Sequence, residues 1–149
     1  MLVVFPLGLL LTAVVFDALT LLTDAPIWGT LAFYNIAAGI VGGLLAAVPG
    51  LIDYFSLSGR ARRLATYHML VNVATLLLFA VSFLLRTQWG TQFVPPTSSL
   101  PEALTIAGAL LLGIGGWLGG HLVYVHRVGV EPEDRGQAAT GDARRRRIA

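Results

Sequence analysis

Four membrane-spanning helices packed as a bundle account for this sequence, on the strength of its composition, its hydrophobic spacing and the placement of its arginines. Of 149 residues, 56% are hydrophobic and 12% charged, and mean hydropathy is +0.76. A soluble domain of this size carries roughly 25% charged residues. Halving that fraction describes a chain solvated by lipid. The predicted class is therefore an all-α integral membrane protein, a four-transmembrane-helix bundle with both termini cytoplasmic. Residues 1–127 make the transmembrane domain and 128–149 a disordered, Arg-rich cytoplasmic tail.

Crossing the hydrocarbon core takes about 20 apolar residues at 1.5 Å each. The first span runs from about Phe5 to Thr23. It is not a cleaved signal peptide, because it lacks a basic leading region and holds Asp17 within its apolar run. The second runs from Trp28 to about Leu57 and is too long for one straight crossing. Gly39, Gly42, Gly43 and the Pro49-Gly50 pair predict tilt and a kink near its end. The third covers Leu64 to Leu85 and the fourth about Glu102 to Val125. Turn chemistry separates them: Asp24-Ala25-Pro26, Ser58-Gly59, and Pro95-Pro96 ahead of Pro101, a favoured helix start.

Arginine placement orients the bundle. Arg60, Arg62 and Arg63 lie between spans two and three, while Arg127, Arg135 and Arg144 to Arg147 follow span four. The other two loops hold only Arg86, at a helix end. The positive-inside rule puts the Arg-bearing segments in the cytoplasm, and Trp28 and Trp89 then lie at the outer interface. The expected location is a bacterial inner membrane, crossed several times. The net charge of +2 sits in one loop and the tail, so it bears on topology rather than on nucleic acid. The terminal RRRR reads as a solvated topology signal that can also meet anionic lipid. With no cysteine, disulfides, thiolate metal sites, Cys-ligated iron–sulfur clusters and covalent c-type haem are excluded.

Lipid offers helices no hydrophobic drive to associate, so small residues mark close contacts. Gly39/Gly43, Gly115/Gly119 and Gly116/Gly120 form such pairs. They predict packing within the chain first and a homodimer face second.

Ionisable residues inside spans are costly and mark functional positions or internal pairs. Asp53 is seven residues before Arg60, His68 five after Arg63 and His121 six before Arg127. These offsets put them at depths of roughly 10, 8 and 9 Å. Three helices thus place Asp53, His68 and His121 in one layer, with Tyr54, Tyr67 and Tyr124 beside them. His126 is five residues beyond His121, so on a continuous helix the two point to faces roughly 140° apart. Two neutral imidazoles on facing helices suit a haem iron, with a carboxylate or tyrosine orienting the second ring nitrogen. Gly119 and Gly120 would leave space for the macrocycle. The plainer expectation is a hydrogen-bonded layer that fixes helix register. Two histidines and one aspartate without cysteine make a poor zinc site.

Asp17 lies near mid-membrane with no basic residue expected at its depth. Its predicted partners are Asn35, Asn72, Thr12 or Thr75, and it is a candidate for proton handling. No nucleophile elbow, phosphate loop or dinucleotide fingerprint is present, because the glycines of span four lie in an apolar helix and not after a strand.

Several stretches in order complete the pattern: FPLGLL at 5–10, GLIDY at 50–54, Arg63 then His68 and Asn72, Arg86 closing span three, and GWLGG…LVY…VGV at 116–130. Together they resemble the bacterial family catalogued as domain of unknown function 2231, small four-helix membrane proteins. The resemblance covers about residues 1–130. It implies a four-helix membrane domain and, in some relatives, attachment to Rieske-type iron–sulfur domains. Asp53, His68, Asn72 and His126 are the polar positions it carries over. Relatives typically have a His-Pro pair just before the first helix, and this chain begins just after that point; the expectation is a shortened start or a member lacking that histidine.

The functional expectation is a small membrane module rather than a stand-alone enzyme. The leading reading is a b-type haem or quinone-linked electron-transfer module, with His68 and His121 as axial ligands, His126 as substitute and Asp53 in support. Its partners would be membrane lipids, a redox partner or larger membrane complex, or a second copy. The competing readings are a scaffolding subunit of a complex and a transporter of protons or small solutes through Asp17.

Overall fold

A computed structural model describes residues 2–87, 92–96, 98–126 and 128. Four helices make up the described fold: α1 (Val4–Thr23), α2 (Pro26–Ser56), α3 (Gly59–Thr87) and α4 (Leu100–Tyr124). All four are long and apolar enough to cross a membrane. The expected tail lies outside the described residues, apart from Val128, as does Trp89.

Local chemistry explains the breaks. Asp24 ends α1 in the left-handed region at φ 53, with its N–H bonded to the Thr20 carbonyl, a conformation short polar side chains tolerate. Pro26 then opens α2, where a missing N–H costs nothing. Gly59 takes φ +58 at the start of α3, which lets two residues turn the chain between α2 and α3. The helix α2 continues through Pro49 to Ser56, close to the expected end near Leu57. One expectation needs correcting. The helix α3 begins five residues earlier than hydropathy indicated, so Arg60, Arg62 and Arg63 are helical rather than looped. Charge ended the apolar window there without ending the backbone hydrogen bonding.

Consecutive helices run antiparallel. Around the bundle, α1 touches α2, α2 touches α3, α3 touches α4, and α4 returns to α1; the pairs α1/α2 and α3/α4 are the most intimate. The diagonals α1/α3 and α2/α4 face each other across the core. Leu10, Ala13, Ile36 and Phe79 form that core, flanked by Val14, Ile40, Phe83 and Leu112. Glycines set the spacing: a Cβ on Gly43 would lie 2.8 Å from the Leu76 side chain, and one on Gly108 would lie 2.8 Å from Phe79. Toward the end holding the α1–α2 turn, Phe33 stacks on Phe83 at 4.7 Å and Phe16 on Trp28 at 5.8 Å.

Candidate functional site

The inward face of α3 is polar for most of its length. His68, Asn72, Thr75, Phe79, Ser82 and Arg86 recur at alternating steps of four and three, the spacing that keeps side chains on one seam of a helix. Thr75, Phe79, Ser82 and Arg86 are buried, and His68 and Asn72 half-buried. Phe79 alone interrupts the row. Opposite it, α4 presents Glu102, Thr105, Gly108, Gly115 and Gly119. The bulk of α3 therefore meets the small residues of α4.

At the end of this row sits an ionic centre. Arg86 Nη2 donates to Asp17 Oδ2 at 2.7 Å, with side chains only 1% and 3% exposed. Thr105 Oγ1 donates to the same oxygen at 2.6 Å and is also 2.8 Å from the Glu102 carbonyl. Arg86 Nε reaches Ser82 Oγ at 3.3 Å, and Ser82 donates to the Pro101 carbonyl at 2.8 Å. Glu102 Oε1 lies 3.7 Å from Arg86 Nη1, within ion-pair range but beyond hydrogen-bond distance. Asp17 Oδ1 and Glu102 Oε2 have no hydrogen-bond partner among the described residues. Three ionisable groups from three helices thus meet in the bundle, two carboxyl groups and one guanidinium.

This corrects the reading of Asp17. Its partners are Arg86 and Thr105, not Asn35, Asn72, Thr12 or Thr75. Asn35 instead donates to the Leu31 carbonyl, and Thr75 to that of Val71. Depth counted along the helix axis hid the pairing: Asp17 lies six residues before the end of α1, roughly 9 Å inward. Arg86 is next to last in α3, and its long side chain bridges the offset diagonally across the core. Glu102, taken as a helix start, was missed for the same reason. The four–three spacing of polar residues along α3 was the signal that would have found the row.

Nearer the other end, His68 Nδ1 is 2.9 Å from the Gly115 carbonyl oxygen, so Nδ1 carries the proton and donates. Asn72 Nδ2 lies against the ring, 3.0 Å from Nε2 and 3.3 Å from Nδ1, and donates to the His68 carbonyl at 2.8 Å. The other residues of the expected layer do not converge on it. His121 is exposed; it lies two residues, about 200°, past Gly119 on α4, and Gly119 is the position that faces His68. Its neighbours are Trp117, with ring centres 6.0 Å apart, and His126, at 5.9 Å. That last contact arises because α4 ends at Tyr124, so the 140° separation expected on a continuous helix does not apply. Asp53 is exposed at the end of α2. Of the tyrosines, Tyr54 bonds Thr66 on α3 at 3.1 Å, under the Arg62 guanidinium at 5.1 Å; Tyr67 and Tyr124 point outward. The residues of the expected layer share no azimuth: His68 turns toward α4, whereas Asp53 and His121 are exposed.

The residues present do not frame a bis-histidine haem inside one chain. The space left by Gly119 is filled by His68 itself, whose Cε1 would lie 2.9 Å from a Cβ there. No group of three or more His, Asp or Glu able to hold a metal ion gathers among the described residues. The glycines of α4 divide cleanly: Gly108, Gly115 and Gly119 pack on α3, whereas Gly113, Gly116 and Gly120 have nothing within 4 Å. Gly39 and Gly43 pack against Leu10 and Leu76 within the chain.

Four antiparallel spans around a buried ionic centre, with a polar seam on one helix, define a small multi-pass membrane protein. No curated protein and no solved structure matches the chain. A family model described as predicted membrane protein (DUF2231) matches residues 1–132, and the chain belongs to that family.

Proposed function

We propose that this chain is a proton-handling module of the bacterial cytoplasmic membrane, with the Asp17–Arg86–Glu102 centre as its working site. One observation carries the reading: the inward polar row of α3 ends at a buried centre that sets two carboxyl groups against a single guanidinium. Burying a charge without a partner is expensive, so a bundle held only for packing gains nothing from a second carboxylate beside one guanidinium. His68, Asn72, Thr75 and Ser82 supply groups that donate or accept hydrogen bonds along the seam, and Phe79 separates the two halves. By the positive-inside rule the end bearing Arg60, Arg62 and Arg63 faces the cytoplasm, which turns the ionic centre toward the outer side.

The test uses purified full-length chain in liposomes with a trapped pH-sensitive dye and an imposed membrane potential. Proton movement above that of empty vesicles, reduced at least tenfold in Glu102→Gln, supports the reading. Flux equal to empty vesicles overturns it.

Two further readings each have an observation behind them. For b-type haem or quinone-linked electron transfer it is His68, whose Nδ1–H is fixed by a backbone carbonyl so that Nε2 is the basic nitrogen, as in ligating histidines. The second ligand would then come from outside this chain's described bundle. A Soret band with α and β bands on dithionite reduction supports this reading, and a flat spectrum from folded protein removes it. For a scaffold or homodimer the observation is the open stripe of Gly113, Gly116 and Gly120 beside exposed Trp117. Cross-linking across that stripe, lost in Gly116→Leu, tests it.

A further inference from the structure

Within the buried centre the two carboxylates are not equivalent. Asp17 Oδ2 accepts two short bonds, 2.7 Å from Arg86 and 2.6 Å from Thr105. Both donors are thus committed to that one carboxyl group. Glu102 has no hydrogen bond to either side-chain oxygen among the described residues: Oε1 is 3.7 Å from the guanidinium and Oε2 is unpartnered. Its side chain is only 7% exposed. The charged groups shown facing it are Asp17 from α1 and Arg86 from α3; α2 lies across the diagonal and does not contact α4. The amino-terminal turn of α4, where Glu102 sits, contributes about half a positive charge. That does not complete the balance, since one guanidinium already serves Asp17.

We infer that Glu102 is the proton-binding carboxyl of the centre, while Asp17 stays ionised on Arg86. This deepens the proton-handling reading and rests on the same site, but it concerns where the proton is held rather than whether protons cross. A proton completes the charge count with no new ligands. A metal cation does not suit the site: hard cations take about six or more oxygen ligands, whereas two carboxyl groups are what the centre offers, beside a guanidinium.

The experiment is infrared spectroscopy of the full chain in detergent and in vesicles at neutral pH, with wild-type protein carrying carboxyl-¹³C glutamate or carboxyl-¹³C aspartate. The expected result is one protonated-carboxyl C=O band per chain that shifts with the glutamate label, stays put with the aspartate label and is absent in Glu102→Gln. Because the labelling is done on wild-type protein, the outcome does not depend on a variant folding. Absence of the band, or a band that moves with the aspartate label, overturns the assignment. So does a sodium- or potassium-dependent rise in thermal stability that is lost in Glu102→Gln. A glutamate band without proton flux keeps the assignment and removes the transport reading; flux without that band does the reverse.

Discussion

Replacing Arg86 by methionine removes the one cation of the buried centre and leaves a shorter, unbranched apolar side chain in its place. Three interactions go: the 2.7 Å bond to Asp17, the ion contact to Glu102 at 3.7 Å and the 3.3 Å bond to Ser82. The carboxyl groups of Asp17 and Glu102 then remain inside the bundle with the guanidinium gone. Breaking a buried pair by deleting one partner costs about 3–5 kcal/mol, because the survivor is stranded. The lower end of that range, about 3 kcal/mol, is expected for Arg86→Met. At about 1.36 kcal/mol per factor of ten, that is roughly two powers of ten in the folding equilibrium. The triple variant Asp17→Asn/Arg86→Met/Glu102→Gln removes the charges together and is expected within about 1 kcal/mol of wild type, as neutral replacements of buried ion pairs often are. Reversible unfolding by SDS titration from mixed micelles, followed by tryptophan fluorescence and circular dichroism, measures both. An Arg86→Met protein as stable as wild type, or a triple variant as unstable as the single, would refute the charge argument.

Two other predictions follow from the packing and the histidines. Gly108→Ala places a Cβ 2.8 Å from Phe79 Cε2 in the middle of the core, and overpacking of that kind costs about 1–3 kcal/mol. Gly116→Ala meets open space, so the same titration should show it unchanged or stabilised by up to about 1 kcal/mol through reduced chain entropy. His68→Ala removes the bond to the Gly115 carbonyl and empties the space beside Gly119, and should cost about 1–3 kcal/mol. By contrast His121→Ala, at an exposed position, should stay within about 0.5 kcal/mol of wild type; equal losses for the two histidines would contradict the placement of His68 between α3 and α4.

Hydropathy alone determined that four helices cross a membrane and where three of them end, because lipid imposes a length and an apolar composition that any 20-residue window reveals. Turn chemistry at Asp24-Ala25-Pro26 and Ser58-Gly59 was equally legible, since left-handed and proline-compatible positions are local properties of the chain. Part of the close packing was readable too: Gly39, Gly43, Gly115 and Gly119 do meet neighbours within the chain. The candidate site was legible only in one dimension. Counting residues gives depth, and on depth alone Asp53, His68 and His121 read as one layer. It says nothing of azimuth across helices, and there the three diverge: His68 turns to Gly115 while Asp53 and His121 face outward. Asp17 and Arg86 show the converse. They are 69 residues apart in the chain and offset in depth, on helices that do not touch backbone to backbone, and the order of the four helices around the bundle brings them to 2.7 Å. That order, and the reach of one long side chain across the diagonal, are set by how four apolar surfaces and their glycine notches fit together, which only the packed structure decides.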